Sequence, residues 1–307
     1  MTVKQQPFDP GITQSYDGRV RRIVNRDGSF NVRRTGRRLQ DIHLYQFFIR
    51  LTWPVFFAVV LAGFLSITVV FTALYLAAGT SGLQGIPPGT PFETFLQVFF
   101  FSVQTVTTVG YGSIAPRGIG VNAVASIESM LGVLGFAFSA GLLYGRFSRP
   151  NARILFSSQA IIAPYEGGTS LQFRVANQRA NALVDIEATV VLMTVEGIGA
   201  EARRVYTKLE LERAAIFFLP LTWTVVHPIA AGSPLLGKTA EILAGEAAEI
   251  MVLLRCFDDT FSQVVHARTS YRFDEIRWGY RFMPAFHNDE SGALILDLAK
   301  MDDVFKV

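Results

Sequence analysis

The stretch SVQTVTTVGYGSIAP, residues 102–116, lies between two long apolar runs and sets a glycine on each side of a tyrosine. Val and Tyr suit strands, yet a hydrophobic helix-loop-helix needs no Thr-Val-Gly-Tyr-Gly sequence merely to turn around. Non-helical backbone at membrane depth is tolerated only where protein covers it or where it lines an aqueous path. An extended loop after a half-helix leaves carbonyl groups without donors, and a cation can take the place of those donors. Successive carbonyls point the same way only if the backbone alternates in handedness, which Gly110 and Gly112 permit because they lack Cβ. Thr108 adds a hydroxyl oxygen, and Tyr111 is placed to brace the loop outward against aromatic neighbours.

The flanks give that loop its setting. From Pro54 to Ala78 the run PVFFAVVLAGFLSITVVFTALYLAA carries no charge, and from Val121 to Phe147 the only charges are Glu128 and Arg146. Both exceed the roughly 20 residues needed to cross a bilayer core. The first run starts too far from Met1, and is too long, for a cleaved signal peptide. Between them, Phe92 to Thr105 is apolar but too short to cross, which predicts a re-entrant half-helix following a Gly/Pro-rich turret. The first 50 residues hold ten Lys and Arg against four Asp, and Arg146, Arg149 and Arg153 follow the second run, whereas only Arg117 lies between the runs. The positive-inside rule therefore places both termini in the cytoplasm.

Three domains are expected. Residues 1–40 are polar and Arg-rich without hydrophobic periodicity, and read as a mobile cytoplasmic tail. Residues 41–150 comprise an interfacial helix and the two-span domain. Leu44, Phe47, Phe48 and Leu51 recur at helical spacing after Asp41, a fair N-cap, and put Arg50 and Trp53 near headgroup level. The alternative is a simple extension of the first span. In residues 151–307 the texture changes to short β-rich runs such as TSLQFRVANQ (169–178), DIEATVVLMTVE (185–196) and AEIMVLLRCFDD (248–259), which predict a β-sandwich.

Composition excludes several classes. Half of the 307 residues are apolar and 17% are charged, below the quarter or so of soluble proteins. A net charge of +3 gives no reason to expect nucleic acid, and the lone Cys256 excludes an internal disulfide. His43, His227, His266 and His287 are scattered, without HExxH, CxxC, nucleophile elbow or phosphate loop, so neither an enzyme, a cofactor nor a small-molecule substrate is expected. GIGAEA (197–202) fits G-x-G-x-x-A, but Phe217 and Phe218 stand where a dinucleotide fold needs an acid, so it reads as a hairpin turn.

Residues 108–112 and their flanks resemble a potassium-channel selectivity filter. WPVFF opening the first span, GRFSRP (145–150), ILFSSQAII (154–162), LTWTVVHPI (221–229), SPLLG (233–237) and ARTSYRFDEIRWGYRF (267–282) extend the likeness over about residues 40–300. Together they are similar to the prokaryotic inward-rectifier potassium channels. The resemblance implies an immunoglobulin-like cytoplasmic β-sandwich. It also implies K+ coordination by Thr108, Val109, Gly110, Tyr111 and Gly112, and a homotetramer in the bacterial inner membrane, since one loop cannot enclose an ion. It assigns a gate to Phe136, where inner helices converge, with Tyr144 a second narrowing; a lipid-facing stripe is the alternative for Phe136. There are departures as well. Gln104 stands where eukaryotic relatives brace the filter with an acid, the cysteine pair flanking their filter is missing, and Phe136 replaces the acid linked to polyamine-dependent rectification.

Other residues carry two readings each. Glu128, the only acid inside a span, either faces a cavity as a cation site, open to Mg2+ or polyamine blockers, or is buried and bonded to the half-helix. Gly132 and Gly135 are either hinges or close-packing positions. Arg50, Arg146, Arg149 and Arg153 either set topology or bind anionic phospholipid headgroups, the latter favoured by the resemblance. Glu196 and Glu201 are either cytoplasmic pore acids or solvated loop residues. Two other function classes stand beside the channel: a subunit of an ion transporter, and a membrane-anchored β-domain binding protein.

Overall fold

The computed structural model describes residues 9–16, 18, 22–33, 35–36, 44–148 and 153–307. The chain divides into two compact units, residues 36–149 and residues 1–35 with 150–307.

The first unit is helical. A short helix α1 (Leu44–Arg50) is followed by α2 (Trp53–Ala78), a half-helix α3 (Pro91–Val106) and α4 (Ile119–Phe147). Extended backbone at Thr52 and Pro54 in the first turn of α2 separate α1 from the span, so α1 is a helix of its own and not an extension of it. The proposed Asp41 cap lies outside the described residues. At 1.5 Å per residue α2 and α4 reach about 39 and 44 Å, while the 16 residues of α3 reach only about 24 Å. Two-residue strands β1 (Leu83–Gln84) and β2 (Ala115–Pro116) pair antiparallel, Leu83 opposite Pro116. The segment between them therefore leaves and returns at one point, which makes α3 re-entrant. Thr90 and Glu93 form a capping box and Pro91 opens the first turn, so the start of α3 is set locally. Phe71 and Tyr75 of α2, Val98 and Phe101 of α3, and Val121 and Ala125 of α4 form its buried apolar centre.

The second unit is a β-sandwich. Its strands are β3 (Ile154–Phe156), β4 (Ala160–Tyr165), β5 (Gly168–Asn177), β6 (Leu183–Glu196), β7 (Arg203–Leu209), β8 (Ala215–Phe218) and β9 (Thr222–Ile229). After the short helix α5 (Ala240–Gly245) come β10 (Glu249–Asp258), β11 (Gln263–Arg272), β12 (Ile276–Trp278), β13 (Tyr280–Phe282), β14 (Phe286–Asn288), β15 (Leu294–Leu296) and β16 (Val304–Lys306). One five-stranded sheet runs β11-β10-β6-β7 with β8 on β6, and the other runs β12-β4-β5-β3 with β9 on β5. Alternate residues point inward: Leu171, Phe173 and Val175 of β5 meet Ile186, Val190 and Leu192 of β6 and Ile250, Val252 and Leu254 of β10. GIGAEA lies in the β6–β7 hairpin connection, as the hairpin reading expects.

The N-terminal stretch corrects an expectation. Its described residues do not form a free tail. Ile23 and Val24 are buried against Val191 and Met193 of β6, Tyr206 of β7 and Met251 of β10. These sheet residues point away from the sandwich core, so β6 is apolar on both faces because both are covered. Burial of Ile23 and Val24 contributes about 1.5–3 kcal/mol each.

Candidate functional site: the loop between half-helix and second span

The helix α3 ends at Val106, and its C-cap Thr107 still has helical backbone. Thr108, Gly110 and Gly112 then take φ of +60°, +49° and +79°, while Val109 and Tyr111 between them keep negative φ. Handedness thus alternates residue by residue, and the alternation reaches Thr108, a non-glycine held in a conformation that L residues avoid. The amides of Val109 and Gly110 both donate to the carbonyl of Gln104, at 2.9 and 3.2 Å, and that of Thr108 donates to Thr105 at 3.0 Å. Among the described residues no hydrogen bond reaches the carbonyls of Thr108, Val109, Gly110, Tyr111 or Gly112. The loop spends its donors on the half-helix and keeps its acceptors free. The C-terminal end of α3, where helix carbonyls leave a partial negative charge, adjoins it. The arrangement suits a desolvated cation and offers no nucleophile or general base.

Beneath the loop, α2, the end of α3 and α4 line an apolar groove of about 690 Å³ that includes Phe64, Val106, Thr108, Gly132, Gly135 and Phe136. The groove brings the start of the loop together with the expected hinge and gate residues. Tyr144, three-quarters exposed, lies outside it.

A family model described as the inward rectifier potassium channel C-terminal domain matches residues 154–307, and one described as an ion channel matches residues 59–148. The inward rectifier potassium channel Kirbac3.1 of Paramagnetospirillum magnetotacticum is 38% identical over 92% of this chain and 95% of its own length. This chain belongs to the inward rectifier potassium channel family. The human ATP-sensitive inward rectifier potassium channel 10 is 31% identical over 97% of this chain and 83% of its own. The mouse G protein-activated inward rectifier potassium channel 3 is 27% identical over the whole of this chain and 84% of its own. These relatives are ion channels, not enzymes, and two helices of this inward rectifier, α2 and α4, are long and apolar enough to cross a membrane.

Other expected site residues of this inward rectifier sit differently from the reading above. Glu128 does not face a cavity: it is fully buried, and Tyr75 and Ser102 donate to its carboxylate. The helix turns it toward α2 and α3, because Glu128 shares a face with Ala125 and Gly132, which also pack inward. Gly132 is a close-packing position, since a Cβ there would come within 2.1 Å of the Val106 carbonyl oxygen. Gly135 has open space around it, and α4 runs unbroken through both glycines.

Arg146 is not a free headgroup ligand. Its guanidinium donates to the carbonyls of Phe48, Ile49 and Leu51 at 2.7, 3.0 and 2.7 Å, capping α1, and lies 4.5 Å from the centre of the Trp53 ring. Arg50 and Arg153 are exposed, and Arg149 lies outside the described residues. Tyr111 is 79% exposed and makes no aromatic ring contact among the described residues, so the expected outward brace is not seen there. Glu196 and Glu201 are exposed on the β6–β7 hairpin, and Glu196 is in register with Arg203. Among the described residues no three His, Cys, Asp or Glu side chains cluster to hold a metal.

Sequence reasoning missed Tyr75 and Ser102 as partners of Glu128. A hydroxyl in an apolar span that needs an acceptor was the available signal.

Proposed function

We propose that four copies of this chain enclose a potassium-selective pathway in the bacterial inner membrane, with both termini cytoplasmic. The observation that carries the reading is the run of free carbonyls from Thr108 to Gly112 on a backbone of alternating handedness. One loop supplies a single column of oxygens, and closed rotational symmetry turns four columns into rings that replace an ion's hydration shell. Potassium crosses passively. Phe136, 78% exposed on the single subunit, is available to meet its symmetry mates as a constriction, and Tyr144 is a second one. Internal Mg2+ or polyamines act as pore blockers, with Glu196 and Glu201 as weak attractors on the cytoplasmic side. Arg50, Arg149 and Arg153 contact anionic headgroups and bias the gate; Gly135 is the hinge.

Rubidium uptake into liposomes tests the reading. Purified protein should load rubidium against a potassium gradient, and barium, doubly charged and similar in size to potassium, should block it. A transporter subunit or a membrane-anchored binding protein would give no barium-sensitive uptake.

A further inference from the structure

Glu128 is the meeting point of three helices. Tyr75 of α2 donates its hydroxyl to one carboxylate oxygen at 2.7 Å, and Ser102 of α3 donates to the other. The same Ser102 hydroxyl lies 3.1 Å from the carbonyl of Thr68 on α2. All four residues are buried, none more than 1% exposed. Four residues further along each helix, Gly132 of α4 packs directly on the carbonyl of Val106 of α3. The last turn of α3 is therefore held against α4 at two successive levels, Ser102 to Glu128 and Val106 to Gly132. Between those levels lies Gln104, whose carbonyl receives the amides of Val109 and Gly110.

A buried carboxylate is a poor choice for stability alone, because a well-packed apolar residue is often neutral or better at such a site. Apolar packing, however, tolerates axial sliding of one helix on another. Two directional bonds to one carboxylate do not, and leaving either donor unpaired is costly in a low-dielectric interior.

We propose that Glu128 is a positioning residue for ion discrimination: it fixes the axial register of the half-helix against both spans and, through Gln104, the spacing of the loop carbonyls. The proposal rests on the reading of Thr108–Gly112 as the ion pathway. Glu128 does not contact the ion.

The test compares full-length wild type with Glu128→Leu, Glu128→Gln, Ser102→Ala and Gly110→Ala in planar bilayers. Potassium-to-sodium permeability ratios come from reversal potentials, and assembly and thermal midpoint are measured in detergent. Glu128→Leu and Ser102→Ala should each lower the ratio by roughly tenfold, the weight of one lost charge-assisted hydrogen bond. Glu128→Gln should stay near wild type, because its amide accepts from one hydroxyl and donates to the other. Glu128→Leu also leaves the buried Tyr75 hydroxyl without an acceptor and should lose stability. Ser102→Ala, which leaves no donor unpaired, therefore separates positioning from a purely structural role: its permeability ratio should fall as far as that of Glu128→Leu while its thermal midpoint falls less. If Glu128→Leu fails to assemble, Ser102→Ala decides, since it removes one oxygen. Wild-type ratios in both Glu128→Leu and Ser102→Ala, with Gly110→Ala non-selective, would overturn the positioning role and leave the pathway intact. Wild-type selectivity in Gly110→Ala would overturn the pathway itself.

Discussion

The backbone amide of Ile23 donates to the carboxylate of Glu249 at 3.1 Å, joining residues 226 apart in the chain. The amide of Val24 reaches the same carboxylate, and Ser270 on the neighbouring strand donates to the Val24 carbonyl at 2.5 Å. Glu249 is only 2% exposed, so these amides are its means of satisfaction. The N-terminal segment is thus laced to the sandwich by backbone groups as well as by its two apolar side chains. Glu249→Ala should destabilise the β unit by about 1–3 kcal/mol, the range for buried donors left unpaired. Hydrogen exchange over residues 22–33 should accelerate, and exchange as slow as wild type would contradict the lacing.

Gly110 adopts φ +49° with nothing within 4 Å of the position a Cβ would take, so its constraint is backbone conformation and not space. Alanine there costs about 1–2 kcal/mol in the left-handed region, enough to favour a flipped peptide. Gly110→Ala should abolish potassium-selective flux while size-exclusion profiles stay those of wild type.

Arg146 should behave as a structural cap. Arg146→Lys keeps the charge but cannot fork across the carbonyls of Phe48, Ile49 and Leu51. Each charge-assisted bond contributes about 1.5–3 kcal/mol, so the substitution should lower the thermal midpoint by several degrees. Its effect on flux should be the same in neutral and anionic liposomes.

Arg149 and Arg153 should show the opposite pattern. Each cation near an anionic leaflet contributes about 1 kcal/mol, falling off within a Debye length. Neutralising both should weaken the dependence of rubidium flux on anionic lipid without lowering the thermal midpoint. Equal wild-type flux in neutral and anionic liposomes would remove the lipid from the mechanism.

His227, in the sandwich, offers a pH test. Burial lowers its pKa from the ordinary 6.5, while its ring nitrogens bond the Glu210 carbonyl and the Ser233 hydroxyl. The unfolded chain therefore binds a proton at a higher pH than the fold does. Stability from this group is full above about pH 6.5 and is lost progressively as pH falls from there through the lowered folded value. The thermal midpoint should drop between pH 8 and 5.5, and His227→Gln should flatten that drop.

Much of the site could be read from local sequence. The length of an apolar run against the bilayer marks α2 and α4, and the shortness of Phe92–Thr105 marks the half-helix. The two glycines of the loop announce reversed handedness because backbone chirality is a property of the residue itself. The continuous apolar texture of Val190–Met193 also held a signal that both faces of β6 are covered, although the covering segment, polar and Arg-rich, gave no hint of its place. The partners of single polar side chains were not legible. Glu128 turns to Tyr75 and Ser102, Arg146 to the end of α1, and Glu249 to Ile23, all across long stretches of chain. Spacing along a helix says which residues share a face, but which face meets which neighbour is decided when the helices pack. The sequence by itself determined two spans, a re-entrant helix and a carbonyl-bearing loop, since these follow from local chain physics and apolar length. Only the tertiary structure decided that the one acid within the spans is buried and bonded to the half-helix and the first span, because burial and hydrogen-bond partners are properties of the packed assembly of helices.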